Sequence, residues 1–221
     1  MEYMTGKRGI GPVLVSPLLS FLLVLLFESF AMADTINVST GLDSSSNNLI
    51  TTGGTADAHW TINGSAAQVV SPGNADWPGV WVENGPSSAW IAQNANTNHN
   101  GTGSYTCTFD LSGYDLSTVS LSGSWTLDDA GILSINGNII SISPDSGQWT
   151  FMSSFNVLNS DFTTGVNTLT IAITQSDNNM EGVRLEGLVT GTSAVPEPCT
   201  MLLIGSGLVG LAAFRRKFKA A

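Results

Sequence analysis

Short runs in which apolar and polar residues alternate recur through the middle of this chain, and they constrain its fold more than any other feature. The alternation is clearest in residues 105–111, 119–127, 169–173 and 183–189. Side chains of a strand point alternately to the two faces of a sheet, so these runs predict half-buried strands. Gly, Asn, Ser and Asp separate the runs, and Asn136-Gly137-Asn138 is typical of a tight hairpin turn. The pattern predicts an all-β domain, a β-sandwich or jelly roll of roughly nine or ten strands.

Weaker strand signals precede these runs. They cover Thr35–Thr40, Asn48–Thr52, His59–Ile62 and Gln68–Ser71. Residues 76–100 are rich in Pro, Gly, Asn and Trp, and this composition predicts a long loop. The segment 34–194 has a suitable length for one domain.

Charge divides the chain into three segments. Residues 34–194 carry fourteen acidic residues and one basic residue, Arg184, whereas the other six bases lie in the two end segments. A nucleic-acid-binding domain needs a basic patch, so the acidic middle segment argues against that class of protein. The whole chain has a net charge of −10. Residues 34–194 alone carry a larger negative charge, because six of the seven basic residues lie outside them.

Residues 1–33 have the features of a secretory signal peptide. Lys7 and Arg8 form a basic start, residues 13–27 are mostly apolar, and Ala31-Met32-Ala33 is a small-x-small cleavage pattern. Cleavage after Ala33 would make Asp34 the first residue of the mature chain. The alternative is an uncleaved membrane anchor, for which the apolar run is short.

Residues 195–221 have the features of a second targeting segment. Pro196-Glu197-Pro198 is followed by Thr200, which can cap a helix, by apolar residues up to Phe214 and by a basic cluster. Fifteen helical residues from Thr200 to Phe214 would span about 22 Å, which is short for a hydrocarbon core of about 30 Å. We expect a short transmembrane helix whose basic end stays on the cytoplasmic side. An ordinary single-pass anchor is the alternative.

This tail resembles the PEP-CTERM sorting signal of Gram-negative bacteria. The matching residues are Pro196, Glu197, Pro198, Thr200, Gly205, Gly207, Gly210, Arg215 and Arg216. The resemblance implies recognition by an exosortase, a membrane transpeptidase that cuts near the Pro-Glu-Pro motif. It also implies export across the inner membrane, a membrane-anchored precursor, and a final place on the cell surface or in an extracellular matrix with exopolysaccharide and biofilm.

Residues 88–190 resemble galactose-binding-like jelly-roll domains of exported bacterial proteins. The landmarks are residues 88–91, 105–111, 123–125, 128–129, 135–137, 165–169 and 182–187. They are strand and turn positions, so the resemblance implies a fold rather than a particular ligand.

The six tryptophans all lie within residues 34–194, which makes glycan binding a hypothesis. Aromatic rings can stack on sugar rings, and Trp77 and Trp81 lie in the Pro- and Gly-rich segment with Glu83 beside them. We expect these three residues to form a glycan-binding platform in a protein that associates with exopolysaccharide. The alternative is that the two aromatics anchor the loop.

Two oxygen-rich segments are candidates for a structural calcium ion. Asp128 and Asp129 lie at a predicted strand end, and Asp177 and Glu181 flank another polar loop. Calcium prefers six to eight oxygen ligands, but neither segment has a strict ligand spacing. Solvated turns, in which Asp and Asn are favoured for their backbone geometry, are the alternative.

Catalysis is not expected of this domain. Adjacent strand residues point to opposite faces, so Asp128 and Asp129 cannot flank one glycosidic bond together. His59 and His99 are isolated, and Cys107 lies on an apolar strand face, where it is expected to pack as a small hydrophobe. The alternative function is an accessory or uncharacterised hydrolase that acts on exopolysaccharide.

Overall fold

The computed structural model describes residues 33–46, 50–71, 80–96, 102–144, 148–175, 180–193 and 198–219. The strands belong to one compact unit, residues 32–195, and the C-terminal helix belongs to a second unit.

Eleven strands are formed by the described residues. They are β1 (Ala33–Asn37), β2 (Ala56–Ile62), β3 (Ser65–Val69), β4 (Ile91–Ala92), β5 (Ser104–Asp110), β6 (Tyr114–Asp128), β7 (Ala130–Ile135), β8 (Asn138–Ser143), β9 (Ser153–Val157), β10 (Val166–Gln175) and β11 (Gly182–Ser193). Two short 3₁₀ helices, Gln148–Thr150 and Asn159–Asp161, flank β9.

The strands form one sheet that folds back on itself. Their order is β8-β7-β10-β5-β2-β3-β4-β11-β6-β9, and β1 pairs with β11 beside this path. The two-residue strand β4 connects the halves, since it pairs with β3 on one side and with β11 on the other. One buried cluster contains Trp60 and Leu169 from the first half and Trp125 and Leu185 from the second. The two halves therefore face each other across a common core, which confirms the predicted β-sandwich.

The core contains the apolar positions that the alternation predicts. In β5, Tyr105, Cys107 and Phe109 are buried, and Leu169 and Ile171 are buried beside them in β10. Burial of a large apolar side chain contributes about 1.5–3 kcal/mol, so the alternating runs supply much of the driving force for folding.

Two hairpins turn on Asn-Gly pairs. Asn136 and Gly137 have φ values of 50° and 85° between β7 and β8, and Asn63 and Gly64 have 48° and 83° between β2 and β3. Positive φ at both central residues is the requirement of a type I′ turn, which Asn-Gly satisfies with little strain. The hairpin predicted at residues 136–138 is thus confirmed, and Asn63-Gly64 makes a second one.

Other expectations differ from the structure. Residues 76–100 are not simply a loop, because they include β4 and the fully buried Trp90. Residues 50–52 of the predicted strand Asn48–Thr52 are not a strand, and Asn48 lies outside the described residues. Trp149 lies in a 3₁₀ helix and is half-buried, although the two-residue spacing of Trp149 and Phe151 predicts a strand there. Trp90 and Trp149 pack in a buried apolar cluster, and this contact rather than alternation determines their local structure.

The C-terminal helix α1 spans Pro198–Lys219. It begins two residues before Thr200, because proline is tolerated in a first turn, where the missing N–H would have no partner. It extends beyond Phe214, since Arg and Lys form helices readily and suit the C-terminal end of the helix dipole. In the part of the chain that the structure describes, no helix is both long and apolar enough to cross a membrane.

Candidate functional site

The structure places only part of the sorting signal. Ala31, Pro196 and Glu197 lie outside the described residues, Pro198 and Thr200 lie in the first turn of α1, and Arg215 and Arg216 lie near its end. An added Cβ at Gly205, Gly207 or Gly210 would meet no atom within 4 Å. These glycines are therefore not required for close packing within the described structure.

The predicted signal cleavage bond lies within strand β1. Ala33 is paired with Thr192, and Asp34 with Gly191, at the last residues of β11. The first and last strands of the sandwich thus lie side by side, with the start of β1 beside the end of β11. Removal of residues 1–33 would shorten β1 by one residue and leave its pairing with β11 in place.

Trp81 is a core residue rather than an exposed platform. It is 3% exposed, and its ring stacks on Trp90 at 4.1 Å between centroids with 28° between planes. Its indole N–H donates to Oδ2 of Asp128 at 2.7 Å. Both contacts use the surfaces that a sugar would need, so the structure does not support the predicted stacking role. Trp77 lies outside the described residues.

A second, smaller core explains why the sequence is misleading at Trp81. Trp81, Trp90, Val70 and Ala92 form a cluster separate from the main core. Gly182 makes room for Trp81, since an added Cβ would come within 2.9 Å of the indole ring. A tryptophan beside Pro and Gly is expected to be exposed, but Trp81 is buried in this smaller core.

The carboxylates predicted to bind calcium are buried. Asp128 is 7% exposed, Asp129 is 5% exposed and Glu181 is 0% exposed. Among the residues that the structure describes, no group of three or more His, Cys, Asp or Glu side chains is placed to hold a metal ion. Asp177 lies outside these residues. The calcium site at these four residues therefore stays a prediction.

Arg184, the basic residue of the acidic segment, is buried in a polar network. It is 4% exposed, its Nε donates to Oγ of Ser88 at 2.9 Å, and one terminal nitrogen donates to the carbonyl oxygen of Glu83. Its other terminal nitrogen lies 3.9 Å from Oε2 of Glu186. Burial lowers the pKa of Arg184, and the Glu186 carboxylate partly opposes this shift. Gly85 leaves room for the guanidinium, which an added Cβ would overlap.

A groove of about 300 Å³ opens beside this network on the outer face of the sheet. It is lined by Asn37, Ser39, Ser87, Ser122, Gly123, Glu186, Gly187 and Leu188. The side chain of Glu186 is 44% exposed, and Oγ of Ser87 donates to its Oε1 at 2.7 Å. We call this feature the Glu186 groove.

Three strands position the Glu186 groove. Leu188 of β11 lies between Asn37 of β1 and Ser122 of β6, with which it is paired in register, and it is 40% exposed. The polar side chains are thus arranged around an apolar one. Sequence reasoning missed this groove, although alternation in β11 places Glu186 and Leu188 on one outer face.

A serine and a histidine also meet, but they do not form a catalytic pair. Nε2 of His59 lies 2.9 Å from Oγ of Ser46 and 2.8 Å from the carbonyl oxygen of Asp43. A carbonyl oxygen only accepts, so Nε2 carries the proton and cannot act as a general base toward Ser46. The histidine instead holds the segment 43–46 against β2. His99 lies outside the described residues.

Comparison with protein families identifies the tail. Residues 194–217 match the family model described as the PEP-CTERM protein-sorting motif. This confirms the resemblance, and it indicates an exported protein that is sorted by an exosortase. The comparison with curated proteins gives no match.

Comparison with solved structures gives carbohydrate-binding modules as distant neighbours. The module CBM36 in complex with calcium and xylotriose is 12% identical, with 71% of this chain and 98% of that chain covered and a TM-score of 0.34. A mutant of a family 29 module is 10% identical, with 76% and 99% covered and a TM-score of 0.37. A family 35 module from Clostridium thermocellum is 14% identical, with 59% and 90% covered and a TM-score of 0.33. At these scores the likeness carries no argument about ligands.

Proposed function

We propose that this chain is an exported, exosortase-processed protein of the cell surface or extracellular matrix, where its sandwich associates with exopolysaccharide. The observation that carries the proposal is the sorting motif at residues 194–217, which begins directly after β11 ends at Ser193. In this proposal residues 1–33 are the signal peptide, residues 34–194 are the working domain, and residues 195–221 are the sorting signal.

The core lies between the two proposed processing sites, and this supports cleavage at both ends of the domain. The main core cluster extends from Val38 to Val189, inside the two proposed processing sites. Loss of the flanking segments would therefore leave the apolar core complete. A stable sandwich would remain after the signal peptide and the sorting tail are removed.

The outer surfaces of the sandwich support association with a hydrated polymer. On one face, Ser134, Thr170, Thr106 and Thr61 are neighbours in register across four strands. On the opposite half, the hydroxyl of Ser120 lies 3.0 Å from that of Thr190. Such rows present hydrogen-bonding groups without charge. The fourteen acidic residues of the domain would disfavour an anionic polymer unless cations screened the repulsion.

Replacement of the sorting motif tests the first part of the proposal. Pro196, Glu197 and Pro198 are changed together to alanine, and Val195→Ala serves as the adjacent control. We expect the triple variant to keep its tail and stay in the membrane fraction, while the control is shortened and displayed like the wild type. Immunoblots of membrane, surface and medium fractions measure both. Unchanged processing of the triple variant would show that an exosortase does not use this motif.

Co-fractionation with isolated exopolysaccharide tests the second part. We expect the wild-type protein to sediment with the polymer and to release no reducing ends during prolonged incubation. Sustained release of reducing ends would favour the alternative of a hydrolase. Recovery of the protein only in the soluble fraction would contradict the proposed association.

A further inference from the structure

We propose that the Glu186 groove is a saccharide-binding site and that its ligand is a neutral sugar unit with adjacent hydroxyl groups. This inference rests on the proposed function, because it assigns the contact with polysaccharide to one place on the domain. It also replaces Trp81, whose ring is buried, as the centre of recognition.

The Glu186 carboxylate supplies the hydrogen-bond acceptor. An ionised carboxylate has about four lone-pair positions on two oxygens. Oγ of Ser87 donates to Oε1 at 2.7 Å, and Oγ of Ser88 lies at 3.5 Å from Oε2. The side chain is nevertheless 44% exposed and lines the groove, so the carboxylate has lone-pair positions beyond those that the two serines occupy. Two adjacent hydroxyls of a sugar ring can donate to the two oxygens at once, which fixes the orientation of the ring.

The hydroxyl donors also hold the carboxylate in place before a ligand arrives. A glutamate side chain that is already fixed loses less conformational freedom on binding than a mobile one. Ser39 makes the neighbouring wall rigid, because its hydroxyl accepts from the backbone N–H of Gly187 at 3.1 Å and is itself buried. The groove is therefore preorganised at its polar side.

The charge of the groove favours a neutral ligand. Arg184 lies 3.9 Å from Oε2 of Glu186, so the guanidinium partly neutralises the carboxylate. Because Arg184 is 4% exposed, it cannot itself reach an anionic group in the groove. The acidic residues over the rest of the domain repel anions at longer range. A polyuronate or a sulfated glycan would thus meet no cation among the described lining residues, and an unfavourable field.

Leu188 supplies an apolar contact in the middle of the groove. Its side chain is 40% exposed and lies between the polar residues Asn37 and Ser122. A sugar ring has apolar C–H faces as well as hydroxyl edges, so an apolar floor with polar walls matches its surface. A volume of about 300 Å³ is at the lower limit for small-molecule sites, which suits one or two sugar units of a longer chain.

The test compares variants of the full-length protein by affinity electrophoresis in gels that contain a neutral glucan, a partly deacetylated chitosan or an alginate. We expect retardation by the glucan and none by the alginate. Glu186→Gln keeps the size of the side chain but removes its charge and one acceptor oxygen. It should weaken glucan binding about tenfold, the loss of roughly one charge-assisted hydrogen bond. Leu188→Ser should weaken it severalfold, whereas Asp110→Asn, on the other half of the sandwich, should bind like the wild type.

The outcomes separate this inference from the proposed function. If the wild type binds glucan and neither Glu186→Gln nor Leu188→Ser weakens binding, the groove assignment is refuted while association with polysaccharide stands. Stronger retardation by alginate than by glucan, or retardation by chitosan that Glu186→Gln abolishes and Asp110→Asn does not, would refute the neutral ligand. If Glu83→Gln loses glucan binding and Glu186→Gln keeps it, the binding site lies in the segment 77–83 that the sequence predicts. If isolated exopolysaccharide does not bind the wild type either, the proposed association itself fails.

Discussion

The stacked pair Trp81 and Trp90 offers a direct measurement of what holds the smaller core together. Both rings are buried, and each indole N–H donates a hydrogen bond of 2.7 Å. The acceptor of Trp81 is the carboxylate of Asp128, whereas the acceptor of Trp90 is the carbonyl oxygen of Val82. Replacing either tryptophan by phenylalanine removes the donor and shrinks the ring by a similar amount. The two variants are therefore matched in size and differ in the group that loses its donor.

The expected difference follows from the charge of the acceptor. A hydrogen bond to a charged group contributes about 1.5–3 kcal/mol, and one between neutral groups about 0.5–1.5 kcal/mol. Trp81→Phe should therefore lower the free energy of unfolding by about 1 kcal/mol more than Trp90→Phe does. With a urea dependence of about 2 kcal/mol per molar, the unfolding midpoints should differ by about 0.5 M.

Urea unfolding followed by far-ultraviolet circular dichroism measures both variants against the wild type without relying on tryptophan emission. Equal midpoints for Trp81→Phe and Trp90→Phe would refute the reasoning, because the bond to Asp128 would then contribute no more than a neutral one. Glucan binding by Trp81→Phe is a second readout. We expect it to equal that of the wild type, since the indole faces Trp90 rather than solvent.

Two further predictions concern the main core and the strand pair below the groove. Burial raises the pKa of Cys107 to about 12, so at pH 8 only about one thiol in 10⁴ is the reactive thiolate. In a Cys199→Ser background, iodoacetamide should label Cys107 only after unfolding, as mass spectrometry would show, and rapid labelling of the native protein would contradict its burial. Gly123→Ala should lower the melting temperature strongly or prevent folding, since the added Cβ would overlap the carbonyl oxygen of Glu186. Gly205→Ala, with open space around it, should change little, and equal melting temperatures would disprove the close approach at Gly123.

The alternating runs predicted the fold because burial on one face leaves a direct trace in sequence. Leu169 and Ile171 show this clearly, since their spacing alone assigns them to the core and the structure buries both. Asn136-Gly137 predicted its hairpin for a local reason, because few residue pairs adopt two positive φ values without strain. Signals of this kind do not depend on distant parts of the chain.

The candidate site was less predictable because it depends on long-range contacts. Trp81 is followed by no alternating run, and its burial results from Trp90 and Asp128, which are distant from each other in sequence. The Glu186 groove combines residues from β1 and the segment after it, from β6 and β11, and from the segment before β4. No spacing in the sequence indicates that Asn37 and Ser122 lie on either side of Leu188, since only the register of three strands brings them together.

The pairing of β1 with β11 has a consequence for when this domain can fold. Ala33 and Thr192 are partners at opposite ends of the domain sequence, so the pair cannot form until nearly the whole domain is available. Contacts of such long sequence separation form slowly, because the entropy of closing a long loop must be overcome first. In a chain exported from its N terminus, β1 emerges first and then has no partner until β11 follows. During that interval the peptide bond between Ala33 and Asp34 is open to a protease, and after it the same bond is part of a closed sheet. If residues 1–33 are the signal peptide that we propose, the pairing of β1 with β11 favours their removal before β11 becomes available.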